Sequence, residues 1–461
     1  MSASSRCDND EDTIAAVSTP RGAGGIGIVR ISGSKCLNIL RSLVPRLPDP
    51  VQNSHVYVSW ARHPSTREKL DRVICFFMQA PATYTGEDCA EIQGHGGIIN
   101  MQRLLDAVCA AGARIAGPGE FTKRACLSGR MDLLAAEATA GFIEARTQRA
   151  ARLAVQHLSG STGRYINSII DDIVETSAAI EAHIDFPEDG LEPLQTEKWL
   201  QVLAESIESL NSLSRSYDAG HRLMSGARVV LAGLPNAGKS TLFNTLAGQD
   251  RALVDPEPGT TRDFIEALDE RDGLLITWVD TAGVRSSAPG IEAEGIRRTM
   301  KEIEKADITL LVVDGVNDTE EDLGNIAKRL CDNGLIICVN KKDLAGWDTR
   351  PAAAAWPDAE PFAVSASTGE GIDAVVREIL KQLLPGDADA DIMLFTSRQK
   401  RYAMAAAEVL ERAVERLKEG SFIELAASDL YEARDFLGAL SGRVLHEKVM
   451  DEIFSRFCIG K

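Results

Sequence analysis

Residues 227–246 read ARVVLAGLPNAGKSTLFNTL, and this stretch decides how the middle of the chain folds. An apolar run, a glycine-rich loop and a helix-forming segment follow one another, and the loop fits the pattern G-x-x-x-x-G-K-[ST] from Gly233 to Ser240. In that context, backbone N–H groups and a helix N-terminus hold phosphates, Lys239 meets the β- and γ-phosphate oxygens, and Ser240 coordinates Mg²⁺. The stretch therefore predicts a nucleoside triphosphate site after a buried strand.

Two later motifs predict the groups around the third phosphate. GTTRD (259–263) carries Thr261, which can reach both Mg²⁺ and the γ-phosphate. DTAG (280–283) follows another strand-like run and supplies the Asp280 carboxylate near Mg²⁺ and the Gly283 N–H near the γ-phosphate. Their order after the phosphate loop is typical of GTPases.

The last two motifs indicate which nucleotide base the site binds. LIICVNKKD (335–343) places Asp343 at a strand end, where its carboxylate can accept two N–H bonds from guanine and would repel the lone pair of adenine. VSAS (364–367) supplies a loop whose backbone can touch the guanine. The sequence therefore predicts GTP and not ATP. The predicted GTP contacts are Gly233, Asn236, Ala237, Gly238, Lys239, Ser240, Thr241, Thr260, Thr261, Asp280, Gly283, Asn340, Lys341, Asp343, Ser365 and Ala366.

The residue after DTAG is unusual for a GTPase. Ras-like switches have a Gln there that orients the attacking water, whereas this chain has Val284, which can orient nothing. An arginine finger contributes about 10³–10⁵ in rate, or about 4–7 kcal/mol of barrier. Either hydrolysis is slow, or another group or a monovalent cation compensates. Asn236 offers a side-chain oxygen for such a cation, or it is simply a turn residue. The nearby candidate side chains are Arg262, Arg285, Glu292 and Glu294.

The composition limits the function classes. A chain of 461 residues is too long for a single core, so about two to four domains are expected. A net charge of −18 argues against coating nucleic acid by charge alone. The nine cysteines include no C-x-x-C pair, the N-terminus is acidic, and no apolar run reaches about 18 residues. We expect a cytoplasmic protein without disulfides, a zinc site or a membrane span.

The patterning predicts a multidomain protein with α+β, all-α and α/β parts. Residues 1–127 alternate β-like runs with turns and contain one helix-like stretch near 100–111, which predicts an α+β domain. Residues 128–225 and 386–461 have helical periodicity, whereas strands and helices alternate through 226–385 as in a doubly wound sheet. The simplest arrangement inserts a Ras-like P-loop module into one helical domain. The β-like runs are 13–18, 26–32, 56–61, 72–78 and 89–93.

Segments outside the G motifs carry a resemblance to a known family. They are DTIAAVSTPRGAGGIGIVRISG (12–33), TYTGEDCAEIQGHGG (83–97), GEFTKRACLSGRMDLLAAEA (119–138) and FCIGK (457–461). With GTTRD, DTAG and the asparagine-containing phosphate loop, they resemble the tRNA-modification GTPase family MnmE, also called TrmE, over nearly the full length. The resemblance implies an N-terminal domain that dimerises and binds tetrahydrofolate, a central helical domain and an inserted G domain.

The resemblance also implies an activity and its partners. GTP hydrolysis is expected to depend on potassium and to accompany modification of the wobble uridine of certain tRNAs. A carboxymethylaminomethyl or aminomethyl group would be added at carbon five, with the FAD-dependent protein MnmG (GidA) as partner in a heterotetramer. The one-carbon unit would come from 5,10-methylene- or 5-formyl-tetrahydrofolate.

Folate-contacting positions of the family carry over residue by residue. Arg30, Glu91 and Lys461 match them, and Arg130 stands where the family usually has Lys. Arg keeps the charge but changes the geometry of the head group. By the same resemblance Cys458, in the tail, would lie at the folate site and is a candidate for the one-carbon chemistry. A docked tail with Cys458 as a small buried group is the alternative.

Potassium and catalytic positions carry over in the same way. Asn236 matches a potassium ligand, and Glu292 matches the acidic residue that positions the catalytic water. The loop VDPEPG (254–259) departs from the family by its two prolines, although proline keeps the backbone carbonyl that the family uses. The predicted potassium ligands are Asn236, Asp255, Glu257 and Thr260, the magnesium ligands Ser240 and Thr261, and the catalytic residues Glu292, Arg262 and Cys458.

Two other functions stay open on the sequence alone. A regulatory GTPase, for example in ribosome assembly, would use residues 1–127 only for dimerisation and carry out no modification chemistry. A dynamin-like membrane GTPase would need a basic or strongly amphipathic lipid-facing segment, and the sequence shows none. The folate-like segments and the FCIGK tail favour the tRNA-modifying enzyme.

Overall fold

The protein is described here by a computed structural model. Its chain divides into two compact units, each of which contains one six-stranded sheet. Unit 1 comprises Met1–Ala140, His157–Val174 and Arg434–Lys461, and unit 2 comprises Gly141–Gln156 and Glu175–Ala433. The structure describes residues 12–185, 196–248, 265–281, 299–327, 334–384, 392–419, 423–444, 447–455 and 457–460.

The sheet of unit 1 is mainly antiparallel, with strand order β3-β4-β5-β2-β1-β6. Strand β6 pairs parallel to β1, and the other pairs are antiparallel. The register places Arg30 of β2 opposite Glu91 of β5. The strands are β1 Ile14–Val17, β2 Ile26–Ser32, β3 Tyr57–Arg62, β4 Lys69–Met78, β5 Cys89–His95 and β6 Arg114–Ile115.

The two faces of this sheet differ. Helices Cys36–Leu43 and Ile98–Ala110 cover one face and form its apolar core with alternate strand residues. Side chains that alternate with the core residues, such as Val58, Trp60 and Ile74, are exposed by 62%, 45% and 41%. The period-2 alternation of a strand therefore leaves apolar side chains on the second face exposed to solvent in this chain.

Helices make up most of the chain between and after the two sheets. No described helix is both long and apolar enough to cross a membrane. Asp429 is buried and forms ion pairs with Arg412 and Arg416 of the preceding helix. These helices are Glu120–Leu127, Leu133–Glu144, Gln148–Leu158, Ser161–Asp185, Thr196–Ser225, Ser397–Glu419, Ile423–Ser441 and Glu447–Phe454.

The sheet of unit 2 is a doubly wound sheet with strand order β12-β11-β10-β7-β9-β8. All pairs are parallel except β8 with β9. Ligands of such sheets bind at the carboxyl ends of the strands where the winding direction reverses, which here is beside β7. The strands are β7 Ala227–Ala232, β8 Ile265–Arg271, β9 Leu274–Asp280, β10 Ile308–Asp314, β11 Leu335–Asn340 and β12 Phe362–Ala363, with helices Lys239–Leu246, Glu320–Ala327, Arg350–Ala355 and Ile372–Leu383.

The long helix Thr196–Ser225 leads directly into β7 and is fixed to the sheet at that corner. Arg222 Nε donates to Asp307 Oδ1 at 3.1 Å, and its Nη1 donates to the carbonyl of Leu383 at 3.0 Å. Asp307 Oδ2 in turn accepts from the backbone N–H of Arg228. One guanidinium therefore connects the helix before the sheet, the start of β10 and the end of the last helix of the module.

The predicted multidomain architecture is confirmed, and most predicted strands match observed ones closely. Helix Cys36–Leu43 was not predicted, although its buried residues Cys36, Ile39, Leu40 and Leu43 have the spacing of a helical stripe. Eight residues give only two turns, which a pattern dominated by short strands obscures. Helix Glu120–Leu127 was missed for the same reason.

Candidate functional sites

The phosphate loop has the backbone geometry that its glycines require. Gly233 and Gly238 have φ angles of 143° and 94°, which other residues rarely adopt. A side chain would also not fit, because a Cβ would lie 2.1 Å from the Val312 carbonyl oxygen at Gly233 and 2.2 Å from Asn340 Nδ2 at Gly238. The loop passes from β7 into helix Lys239–Leu246, the predicted strand–loop–helix order.

Lys239 lies inside this loop. Its side chain is buried, and Nζ donates to the carbonyl oxygens of Gly233 at 2.9 Å and Leu234 at 2.7 Å. Burial lowers the pKa of Lys239, while the nearby carboxylates of Asp280 and Asp318 act in the opposite direction. A buried ammonium that exchanges carbonyl partners for phosphate oxygens gains a full counter-charge, which favours a highly charged anion.

Ser240 and Asp280 meet where a magnesium ion is expected. Ser240 Oγ donates to Asp280 Oδ2 at 2.7 Å, and Asp280 is only 1% exposed at the end of β9. Both atoms are hard oxygen donors, which Mg²⁺ prefers, and Mg²⁺ commonly uses few protein ligands and completes its shell with phosphates and water. The two residues therefore fit a Mg²⁺–nucleotide complex. Among the described residues no group of three or more His, Cys, Asp or Glu could hold a metal without such a ligand.

Asn340 connects the phosphate loop to the loop after β12. Its Nδ2 donates to the Ala237 carbonyl at 2.9 Å, and its Oδ1 accepts from the Ala366 N–H at 2.9 Å. The residue is 2% exposed. Both ends of the amide are therefore used within the protein, and Asn340 positions the predicted contacts Ala237 and Ala366.

Asp343 presents its carboxylate to solvent and is held by two serines. Ser365 Oγ donates to Oδ1 at 2.7 Å and Ser367 Oγ to Oδ2 at 3.2 Å. The hydrogen bond from Ser365 is the main reason that the pKa of Asp343 is lowered, so the group stays ionised. A carboxylate has about four acceptor positions, which leaves capacity for the two N–H groups of guanine.

The first turn of helix Lys239–Leu246 completes the described part of the site. Thr241 is exposed there, as a phosphate contact should be, and its carbonyl accepts from Thr245 Oγ1. Thr245 Oγ1 also donates to the Ala366 carbonyl at 2.9 Å. Asn236 adopts a left-handed φ of 66°, and its side chain makes no hydrogen bond within the described part of the chain.

Sequence reasoning did not single out three residues of this site. Asp314 binds Lys341, Ser367 binds Asp343, and Trp347 Nε1 donates to the Asn340 carbonyl at 3.0 Å. The position of Asp314 at the end of the apolar run ITLLVVD could have revealed it, since that end lies at the same sheet edge as NKKD. No sequence signal marks Trp347. The predicted residues Asp255, Glu257, Thr260, Thr261, Arg262, Gly283, Arg285, Glu292, Glu294 and Lys461 lie outside the described residues.

Unit 1 contains a second polar cluster, around Arg30 and Glu91. Arg30 Nε donates to Glu91 Oε1 at 3.0 Å across the β2–β5 pair. The guanidinium lies 5.6 Å from the ring centre of Tyr84 and 5.9 Å from that of Phe121. The ion pair therefore lies beside two aromatic rings.

Arg130 reaches the same loop from a different segment. Its Nε donates to the Thr83 carbonyl at 3.2 Å, and Tyr84, the next residue, is the one that faces Arg30. Tyr84 itself is held by a 2.9 Å hydrogen bond to Thr122, and burial raises its pKa. Arg130 and Arg30 therefore contact neighbouring residues of one loop.

The C-terminal tail docks on unit 1. Ser18 Oγ donates to the Gly460 carbonyl at 3.0 Å, and Ile459 forms an isolated β-bridge with Pro118. The Gly119 N–H points to the Cys458 carbonyl at 3.5 Å. The docked tail agrees with the prediction, but Cys458 is exposed, so its interpretation as a small buried group is wrong. Backbone contacts of residues 458–460 and the buried Phe457 hold the tail, and the Cys458 thiol remains on the surface.

His95 of QGHGG is held by buried groups at the end of β5. Its Nδ1 lies 2.7 Å from Asp71 Oδ1, and its backbone N–H donates to Asp71 Oδ2. Asn100 Nδ2 donates to that same Oδ2 at 2.7 Å. Burial raises the pKa of Asp71, but the hydrogen bonds from His95 and Asn100 outweigh it and the pKa is lowered.

Comparison with known proteins finds two matching family models. The model "GTP-binding protein TrmE N-terminus" matches residues 13–130, and "MnmE helical domain" matches residues 133–458. Among solved structures, the G domain of the FeoB iron transporter of T. maritima is 28% identical and covers 34% of this chain and 98% of that one, with a TM-score of 0.28. A TM-score this low does not establish a common fold.

Curated relatives match over nearly the whole length. The protein named tRNA modification GTPase MnmE from Syntrophus aciditrophicus is 40% identical over 457 residues, which are 98% of this chain and 100% of the relative. Those of the same name from Geotalea uraniireducens and Moorella thermoacetica are each 38% identical over 98% of this chain, and 99% and 100% of their own lengths are covered. Full-length similarity and the matched models lead to one assignment: the chain belongs to the MnmE (TrmE) family of tRNA modification GTPases.

Proposed function

We propose that this protein is the GTP-hydrolysing component of a tRNA wobble-uridine modification system. The proposal rests on the presence of two sites in one chain. Unit 2 has a guanine-type nucleotide site, and unit 1 has an ion pair beside aromatic rings and a docked tail. GTP hydrolysis alone would need only the site in unit 2. The site in unit 1 is proposed to bind the folate that would supply a one-carbon unit to carbon five of the uridine.

GTP binding uses residues at the carboxyl edge of the second sheet. The phosphates lie over the loop from Gly233 to Ser240, where Lys239 and the helix N-terminus supply positive charge. Ser240 and Thr261 would hold Mg²⁺ with Asp280 beside them, and the ion would supply positive charge for the phosphates. Asp343 accepts the N–H groups of guanine.

Hydrolysis requires a substitute for the missing glutamine, because Val284 cannot orient water. Glu292 positions the attacking water. Arg262, in the segment after the phosphate loop, is a second candidate for the group that replaces the missing glutamine. Asn236, together with Asp255, Glu257 and Thr260, would hold a potassium ion, which would supply the positive charge of an arginine finger. The Asn236 side chain makes no hydrogen bond with the described residues, which supports this role. Its left-handed backbone also suits an Asn for conformational reasons alone.

The Arg30 cluster is proposed as the tetrahydrofolate site. A pterin presents the same pair of N–H donors as guanine, so Glu91 can accept them as Asp343 does in the other unit. Tyr84 and Phe121 provide aromatic surface for the ring, and Arg130 supplies positive charge for the glutamate tail. Lys461 and Cys458 belong to the docked tail, and Cys458 is the proposed residue for one-carbon chemistry because its thiol is exposed.

The exposed apolar side chains of unit 1 support a proposal about how the protein assembles. Ile26, Val58, Trp60, Ile98 and Ile99 are each at least 45% exposed, and apolar surface of this kind favours association. A second copy of the chain is the proposed occupant of this surface, which gives a homodimer through the N-terminal domain of residues 1–127.

The other proposed domain bounds are 128–225 and 386–461 for the helical domain and 226–385 for the G domain. MnmG (GidA), an FAD-dependent protein, and tRNA are the proposed partners in a heterotetramer.

Guanine specificity can be tested at Asp343. Asp343→Asn should lower GTP affinity by about 100-fold or more, because one acceptor of the two N–H bonds becomes a donor. Xanthosine triphosphate, which has a carbonyl where guanine has its amino group, should bind the variant better than GTP. Equilibrium titration with fluorescent nucleotides measures both affinities. Asp348→Asn, at a half-buried aspartate paired with Arg350, serves as the control, and equal loss in both variants would contradict the assignment.

Potassium dependence can be tested at Asn236. Asn236→Gly removes the side-chain oxygen and still permits a φ of 66°, so it separates ligation from backbone strain. The wild-type GTPase rate should rise about tenfold or more when potassium replaces sodium, and the variant should respond to neither salt. Asn236→Asp retains an oxygen and should keep a response. Equal wild-type rates in both salts would remove the cation from the mechanism.

Folate binding can be tested at Arg30. Arg30→Gln leaves Glu91 without its charged partner and should weaken 5-formyl-tetrahydrofolate binding by about tenfold, as loss of a charge-assisted hydrogen bond predicts. Isothermal titration calorimetry of the full-length protein measures the affinity. Arg41→Gln, an exposed arginine paired with Asp49, is the matched control and should bind as the wild type does. No folate binding by the wild-type protein would defeat this part of the proposal.

The whole function can be tested on tRNA. Cells that lack the protein should contain unmodified carbon five at the wobble uridine of the affected tRNAs, measured by mass spectrometry of nucleosides. Expression of the wild type should restore the modification, and Asp343→Asn should not. Unchanged tRNA together with altered ribosome profiles would instead indicate the regulatory GTPase of ribosome assembly.

A further inference from the structure

We propose that Asp314 is a positioning residue for guanine binding that acts through Lys341. The inference rests on the proposed GTP site and identifies a residue outside its sequence motifs. Asp314 is the last residue of β10 and lies in register with Asn340, the last residue of β11. The two strand ends therefore bring a carboxylate beside the first residue of the NKKD motif.

The Asp314 carboxylate is buried and well supplied with donors. It is 4% exposed, and its Oδ2 lies 2.6 Å from Lys341 Nζ and 2.8 Å from Asn317 Nδ2. Oδ1 accepts from the backbone N–H groups of Val316 and Asn317 at 3.0 Å and 3.3 Å. Burial raises the pKa of Asp314, but the hydrogen bonds from Asn317 and Lys341 outweigh it and the pKa is lowered. The group is therefore a fixed negative charge.

Lys341 needs such an anchor. Its φ of 67° is left-handed, a conformation that is unfavourable for a non-glycine residue and persists only when its surroundings determine it. Its backbone follows β11, while its ammonium is bound at the end of β10. The four-carbon stem therefore crosses between two strand ends at the edge of the sheet where the nucleotide is expected.

The position of Lys341 connects this pair to base recognition. The preceding residue, Asn340, joins the phosphate loop to the loop of Ala366, and Asp343 lies two residues further on. An anchored Lys341 fixes the backbone between these two groups and presents its apolar stem beside the base. Without the anchor, the ammonium would be free to move and the stem would have to be ordered when nucleotide binds, which costs affinity.

A purely structural role for Asp314 makes a different prediction. Its Oδ1 bonds to Val316 and Asn317 form a turn of the kind that Asn makes equally well. Asp314→Asn therefore keeps the Oδ1 acceptor for the turn and replaces Oδ2, which accepts from Lys341 and Asn317, with an uncharged amide group. If the turn is what matters, this variant should bind nucleotide as the wild type does.

The experiment measures GDP affinity and GDP dissociation rate in full-length variants with a fluorescent GDP analogue. Asp314→Asn should bind GDP about tenfold more weakly and release it faster, and Lys341→Met should lose a similar amount. Because both variants break one pair, the double variant should be no weaker than either single one. Asp322→Asn, an exposed aspartate bonded to Thr319, is the matched control and should bind as the wild type does.

Each outcome separates the two proposals. Unchanged affinity in Asp314→Asn, or losses that add in the double variant, would overturn the positioning role while leaving GTP binding intact. Failure of the wild type to bind GDP would overturn the proposed function itself. If Asp314→Asn does not fold, Lys341→Met decides alone, because wild-type affinity in that variant leaves Asp314 nothing through which to act.

Discussion

The nucleotide site depends on the two hydrogen bonds of the Asn340 side chain. One end of the amide holds the Ala237 carbonyl in the phosphate loop, and the other holds the Ala366 N–H in the last loop of the sheet. The loop that would bind phosphates and the loop that would bind the base are thereby fixed to one buried group. Since Asn340 ends a strand that is paired on both sides, its own position is set by the sheet.

The same amide explains a constraint elsewhere in the sequence. A Cβ at residue 238 would lie 2.2 Å from Asn340 Nδ2, so glycine is required there on packing grounds as well as for its φ of 94°. A glycine at this position of a phosphate loop is usually explained by the close approach of the loop backbone to the ligand. Here it also allows the loop to approach Asn340. Two motifs that are 100 residues apart in sequence are therefore parts of one packing arrangement.

The sequence allowed the strand–loop–helix of the phosphate site to be predicted with its residues, because that geometry follows from the glycine and lysine spacing alone. Five strands of the first sheet were predicted from apolar runs, and their ends matched within a few residues, whereas β6 was not predicted. In the second sheet, the apolar runs before the nucleotide motifs marked β7, β9 and β11, whereas β8 and β12 were not predicted. Asp314 could not be assigned a role, because its partner Lys341 is brought to it only by the pairing of β10 with β11. Asn340 stays a predicted nucleotide contact, and the fold adds that its amide joins Ala237 to Ala366, which no sequence motif reveals.

Two polar contacts from the helical segments to the second sheet lie at the strand ends opposite the nucleotide site. Arg222 binds Asp307 and Leu383 beside the starts of β7 and β10, and Arg149 donates to the Asp272 carbonyl in the turn that begins β9. The carboxyl ends of these strands, where the phosphates would bind, are about 20 Å away along strands of six or seven residues. These strands are buried and close-packed, so they transmit displacement as rigid elements and do not absorb it. Strand β7 therefore forms a rigid connection between the phosphate loop and the corner where Arg222 fixes the long helix Thr196–Ser225.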